Sequence, residues 1–132
     1  MAEIPEGAKR LLDEPQLAHF VTLMKDGSPQ VTPVWVTHDG THVIVNTAEG
    51  RQKPRNLRRD PRVAVSVVDR ENPFRYVLVR GRVSDIIGGE EAWQSIEALS
   101  QKYNGRAYPR REGEERLLIK IDPEHVTFRG PE

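Results

Sequence analysis

The chain predicts a mainly β (α+β) domain of six or seven mostly antiparallel strands with two or three short helices, curled into a closed or partly closed barrel. Three observations carry this expectation. Short apolar runs rich in β-branched residues recur along the chain, and two Asp-Gly pairs, Asp26-Gly27 and Asp39-Gly40, punctuate the first of them. Only one later segment has clear helical periodicity, with Trp93, Ile96, Leu99 and Tyr103 at helix spacing. At 132 residues the chain is long enough for one domain with a single core.

The elements follow in order. Ile4 to Leu12 reads as an amphipathic opening helix, with Pro5 in its first turn and Pro15 ending it. Gln16 to Met24 is a strand, and Asp26-Gly27 turns it into a second, Gln30 to Thr37. Asp39-Gly40 leads to a third, Thr41 to Thr47, so the three form an expected antiparallel meander. Ala48 to Pro61 breaks the pattern as a loop running into a short helix. Strands resume at Arg62 to Val68 and Tyr76 to Ser84, around a polar turn at Asp69 to Pro73. Gly88-Gly89 introduces the helix Glu90 to Tyr103. A polar segment, Asn104 to Glu115, precedes closing strands at Leu117 to Ile121 and Val126 to Phe128.

Composition excludes several classes. Twenty basic residues balance twenty acidic ones, so no whole-chain field attracts nucleic acid or membrane. The chain has no cysteine, which removes disulfides, thiol catalysis and thiolate metal sites. No apolar run approaches the roughly 18 residues of a membrane span, and Met1 to Arg10 has no signal-like core. A cytoplasmic protein is expected. His38 and His42 are four apart, but the intervening Asp39-Gly40 makes a turn, so a zinc helix is not expected. His19, in an apolar strand, reads as a core or edge histidine. Ser66 lacks a nucleophile elbow, and no Walker loop or dinucleotide fingerprint occurs.

The chemistry concentrates between Asn46 and Arg62. From Arg51 to Arg62 there are six basic residues and one acid in an otherwise balanced chain. Arg51 and Lys53 alternate so that both side chains reach one side, and Pro54 suits the first position of a following helix. A helix start favours an anion through its free N–H groups and dipole. Arginine adds bidentate phosphate geometry and lysine a compact charge. An Arg-rich loop is more often a solvated face; here the spacing and the neutral remainder favour a phosphate pocket on the barrel rim. A single-strand nucleic-acid binder would add stacking aromatics, and Arg51 to Arg62 has none.

The succession of Asp-Gly turns, the Pro33-Val34-Trp35-Val36 strand and the run Arg51-x-Lys53-x-Arg55-Asn56-Leu57-Arg58-Arg59-Asp60-Pro61 resembles the pyridoxamine 5'-phosphate oxidase-like split-barrel superfamily. Within it the chain resembles the F420-dependent (deazaflavin) oxidoreductase branch, over Leu17 to Val83. The resemblance implies the FMN-binding split-barrel type of fold and a homodimer with its cofactor in a groove between subunits. It implies that Arg51 and Lys53 hold the cofactor phosphate, with Arg55 and Asn56 close behind. Pro33, Val34 and Trp35 would lie against the tricyclic ring, and Asn46, Thr47 and Ala48 near the cofactor tail. Tyr76 of the partner subunit would line the other wall. Arg58, Arg59 and the Arg106 to Arg111 segment are candidates for an acidic F420 tail, or solvated surface. Trp35 either packs in the core or faces the ring, whereas Trp93 and Tyr103 are expected to pack the late helix.

The chain ends at Gly130-Pro131-Glu132, without the longer segment that grips substrate phosphate in true pyridoxamine phosphate oxidases, so pyridoxal phosphate synthesis is not expected. The leading expectation is an F420H2-dependent reductase transferring hydride to an unsaturated small molecule. An FMN-dependent oxidoreductase of the same fold and a non-catalytic F420- or flavin-binding protein are the alternatives. No residue stands out as a general acid or base, consistent with chemistry supplied by a cofactor.

Overall fold

The computed structural model describes residues 1–131, so Glu132 of the expected carboxy-terminal end lies outside the described residues. Ten elements follow in order. Helix α1 (Glu6–Asp13) leads to strands β1 (Ala18–Leu23), β2 (Pro29–Val34), β3 (Thr37–His38) and β4 (Val43–Ala48). Helix α2 (Gln52–Arg59), strands β5 (Arg62–Asp69) and β6 (Asn72–Ile87), helix α3 (Gly89–Asn104) and strand β7 (Arg116–Arg129) complete the chain. No helix among the described residues is long and apolar enough to cross a membrane.

The seven strands form one antiparallel sheet in the order β2-β1-β5-β6-β7-β4-β3. This corrects the expected meander. The Gln30 to Thr37 run is not one strand: β2 pairs with β1 at one edge, and β3 pairs with β4 at the other. Only Trp35 and Val36 separate them. Seven strands laid flat would put the outer two about 29 Å apart, yet the three steps from Val34 to Thr37 span at most about 11 Å. The sheet must therefore curl until its edges nearly meet, with a split instead of hydrogen bonds between β2 and β3. A periodicity reading cannot see this, because the apolar pattern runs unbroken through Val36.

The closing strands also merge. The expected pair is one strand, β7, of 14 residues, and β6 extends to 16. Their pairing shifts register at Arg80/Gly81 and again at Val83/Asp85, and such bulges bend long strands into a barrel wall. Gly81 is required at the first: a Cβ there would lie 2.0 Å from the Asp122 carbonyl oxygen.

Alternation on β5 and β6 sends Val63, Val65, Val67, Val77 and Val79 inward, where they meet Phe20, Val43, Val45, Ile119 and Ile121. Helix α1 plugs one end with Leu11 and Leu12, both fully buried. Burying such a side chain contributes about 1.5–3 kcal/mol. Helix α3 lies over β7 and β4 through Ala92, Ile96 and Leu99, and stops at Gly105, whose φ of 70° supplies the left-handed cap. Its last turn also pins the crossing segment. The Tyr103 hydroxyl donates to the Gln16 carbonyl at 2.6 Å and accepts from the Val36 amide at 3.0 Å. Lys102 Nζ donates to the Leu12 and Val36 carbonyls.

Candidate functional site

The split at Trp35 opens into a groove of about 350 Å³. Pro33, Val34 and Trp35 form one wall as β2 ends, and Asn46 and Thr47 come from the end of β4. Arg51 and Lys53 enter from the start of α2. Seven of the eleven expected site residues are thus brought together. Trp35 is half-buried and stacks on Tyr103, with ring centroids 5.2 Å apart and planes 10° off parallel. Trp35 does not pack in the core: it stacks on α3 and lines the groove.

The electrostatics of the groove are lopsided. Helix α2 begins at Gln52, with Arg51 as its N-cap residue and Pro54 as its third instead of its first, and both Arg51 and Lys53 line the groove. Burial and the adjacent Arg51 charge hold the Lys53 ammonium below its ordinary pKa. Thr47 is 3% exposed, and its Oγ1 has no hydrogen-bond partner among the described residues. Buried hydroxyls are ordinarily satisfied, so an orphan in a groove that two cations also line marks a place for an acceptor-rich ligand. The two cations and this hydroxyl fit a phosphate group.

The remaining expected residues lie elsewhere. Ala48 is buried at the end of β4, paired with Arg116. Arg55 donates to the Gly50 carbonyl (3.0 Å) and Gln52 Oε1 (2.9 Å), folding back on its own helix. Asn56 is fully buried: its Nδ2 donates to Thr22 Oγ1 at 3.0 Å, and its Oδ1 accepts from Gln52 (2.7 Å) and Arg59 (3.0 Å). Tyr76 lies on the outward face of β6, away from this groove.

Of the arginines considered for an acidic tail, Arg58 grips Glu49 in a fork at 2.6 and 2.8 Å, and Arg110 pairs with Glu90 at 2.6 Å. Arg59 donates to the Leu23 carbonyl, whereas Arg106 and Arg111 are exposed. His19, expected at a core or edge position, is exposed on the outer face of β1. His42 contacts Asp39 at 3.0 Å and Asp122 at 3.2 Å.

Five groove residues escaped the sequence reading as site residues: Leu17, Ile96, Leu99, Tyr108 and Arg116. The Ile96 and Leu99 periodicity was visible but indicated only packing. Tyr108 sits in the polar segment after α3, where nothing periodic marks it. Arg116 opens β7 behind Glu114 and Glu115, and it is 5% exposed. Its Nε donates to Asn46 Oδ1 at 2.9 Å and its Nη1 to the Tyr108 hydroxyl at 3.3 Å. Glu114 Oε1 is 3.6 Å from Nη1. Burial, foremost, lowers the Arg116 pKa, and the Arg51 charge adds to the effect.

A curled antiparallel sheet whose two edges part at Trp35 defines a split barrel. The chain belongs to the pyridoxamine 5'-phosphate oxidase family, whose model matches residues 4–130. A solved structure named F420 reductase shares 35% identity at a TM-score of 0.84, covering 94% of this chain and 98% of its own. A conserved hypothetical protein of Mycobacterium tuberculosis superposes at 0.77 with 23% identity, over 98% of this chain and 88% of its own. General Stress Protein 26 of Bacillus anthracis str. Sterne superposes at 0.75 with 20% identity, over 96% and 94%. These last two likenesses speak for the fold alone.

Proposed function

We propose that the chain is an F420H2-dependent reductase of unsaturated small molecules, working as a cytoplasmic homodimer. The observation that carries this reading is that Arg51, Lys53 and Thr47, whose hydroxyl is orphaned, line one groove with Trp35. The 35% identity to a protein named F420 reductase favours the deazaflavin over FMN. Arg51, Lys53 and Thr47 would hold the phosphate, while Pro33, Val34 and Trp35 would orient the ring. A reduced deazaflavin, when bound, supplies hydride to the acceptor. The protein's part is to bind, align and exclude water, and a wall of Trp35, Ile96 and Leu99 suits that.

The dimer reading rests on the outer face of β2, β1, β5 and β6. Val31 pairs across from Val21, Ala64 from Val21, Leu78 from Ser66 and Tyr76 from Val68, so their side chains share one face. Phe74 (79% exposed), Val31 and Leu78 stand out on that surface, which also carries His19, Ser66 and Arg80, and exposed apolar groups of this size favour association. Pro33 lies on the same alternation and also lines the groove, so a second copy seated there could bring its own Tyr76 to the ring site. Sedimentation of wild type and Leu78→Asp tests it: a dimer that becomes a monomer is expected, and a wild-type monomer refutes it.

Fluorescence titration with F420 and with FMN, on wild type and Lys53→Ala, tests the cofactor. F420 affinity that falls about tenfold or more in the variant is expected, since charge-assisted phosphate contacts are of that strength. Binding of FMN alone moves the chain to FMN-dependent chemistry on the same groove. Binding of neither refutes the site.

A further inference from the structure

Arg116 is held in an unusual way for a buried cation. Its two closest partners, Asn46 Oδ1 and the Tyr108 hydroxyl, are neutral. The Tyr108 ring also lies 5.3 Å beneath the guanidinium carbon. These contacts fix the direction of the group without cancelling its charge. The carboxylate that approaches it, Glu114, sits at 3.6 Å and already accepts from the Tyr108 hydroxyl at 3.2 Å. Arg116 also lines a second pocket with Glu49 and Glu115, where Glu49 is taken by Arg58. Arg51 and Lys53 line the same groove, so three cations line it with no carboxylate among the lining residues, and Glu114 approaches Arg116 from outside it. A guanidinium desolvated this far costs stability unless something pairs with it. A dianion would offset that cost; a single negative charge would leave one cation uncompensated.

We propose that Arg116 receives a second negative charge of the ligand, next to the phosphate held by Arg51 and Lys53, so the groove selects dianionic head groups. This rests on the phosphate site proposed above. Two ligand chemistries supply such a pair of charges: the doubly ionised phosphate monoester of FMN, and a phosphodiester with an adjacent carboxylate, as at the start of an F420 tail. A purely structural Arg116, tying β4 to the segment bearing Tyr108, would show no selectivity between charge states.

The experiment compares wild type, Arg116→Gln and Arg116→Lys by fluorescence titration with FMN at pH 5 and 7.5 and with F420 at pH 7.5. Thermal melts establish that each variant is folded. A phosphate monoester gains its second charge near pH 6. If the monoester is the source, wild-type FMN affinity tightens several-fold between the two pH values, Arg116→Gln abolishes that gain, and Arg116→Lys retains part of it. If the tail carboxylate is the source, Arg116→Gln weakens F420 about tenfold or more and Arg116→Lys restores part of the loss. Either pattern supports the proposal. Unchanged affinities in Arg116→Gln, or FMN weakened equally at both pH values with F420 unaffected, overturn it. In those cases a loss of binding in Lys53→Ala still upholds the phosphate site. Wild type that binds neither ligand removes both.

Discussion

Replacing Asn56 by alanine separates a binding role from a structural one. The sequence resemblance sets Asn56 beside the phosphate; the structure buries its amide between α2 and β1. The substitution removes the bond to Thr22 Oγ1, which is itself fully buried, and those from Gln52 and Arg59. Gln52 and Arg59 can turn to water, but the Thr22 oxygen cannot, although it keeps its own donation to Gln30 Oε1 at 3.2 Å. One buried hydrogen bond lost is worth about 1 kcal/mol. The space left by the carboxamide adds about 1–2 kcal/mol. A loss of about 2–3 kcal/mol is expected, or about 8–12 °C in Tm for a chain of this size. Urea unfolding gives the number, with an unchanged m-value showing that only stability moved. Ligand affinity of the folded variant should stay near wild type. A stability change under about 0.5 kcal/mol together with lost binding would refute the reasoning and return Asn56 to the site.

Other perturbations test separate parts of the structure. Gly81→Ala puts a methyl group 2.0 Å from the Asp122 carbonyl oxygen, so β6 and β7 must part; insoluble expression or a severe loss of Tm is expected, and wild-type stability would refute the bulge geometry. Arg75 lowers the Glu14 pKa chiefly by hydrogen bonding and also helps lower that of Asp69. Both folded pKa values lie below the unfolded ones, so this stability is present above the ordinary carboxylate range and lost as pH falls through the folded values. Melts from pH 6 to 3 should therefore fall more steeply for wild type than for Arg75→Met. Lys102 moves the other way: burial lowers it to about 8, so the unfolded chain binds more protons between pH 8 and its ordinary value of 10.5. Stability from this group rises with pH in that window, and Lys102→Met should flatten the rise.

What the sequence showed and what it hid divide along physical lines. Local signals were readable: the Asp-Gly turns, the α3 periodicity and the Arg51–Lys53 spacing all depend on residues close in the chain. Sheet order was not, because Val34 and Thr37 sit on opposite edges while the hydrophobic alternation passes through them without a break. Arg55 and Asn56 share the Arg-rich run with Lys53, but helical rotation turns them to other partners: Arg55 back onto α2, and Asn56 into the core. A motif read in one dimension assigns one role to residues that a helix then divides. Arg116 is the converse case, since it reaches the groove only because β7 pairs with β4, about 70 residues earlier in the chain.

The groove itself follows from the way the barrel fails to close. Were β2 and β3 one strand in one ladder, their neighbours would be hydrogen-bonded and the space would hold only core side chains. The crossing at Trp35–Val36 instead leaves two sheet edges side by side without a ladder, and α3 covers part of the gap. Tyr103 and Lys102 tie the crossing backbone to α1 and α3 at Val36. Trp35 is consequently fixed at the mouth by stacking and by the backbone of its neighbour, not by burial in the core. Tyr103→Phe keeps the ring that supports Trp35 but deletes the bonds to Gln16 and Val36. If the tether positions the wall, this variant should weaken ring-dependent ligand binding several-fold, while the Arg51 and Lys53 phosphate contacts persist. Affinity equal to wild type would show that stacking alone holds Trp35 in place.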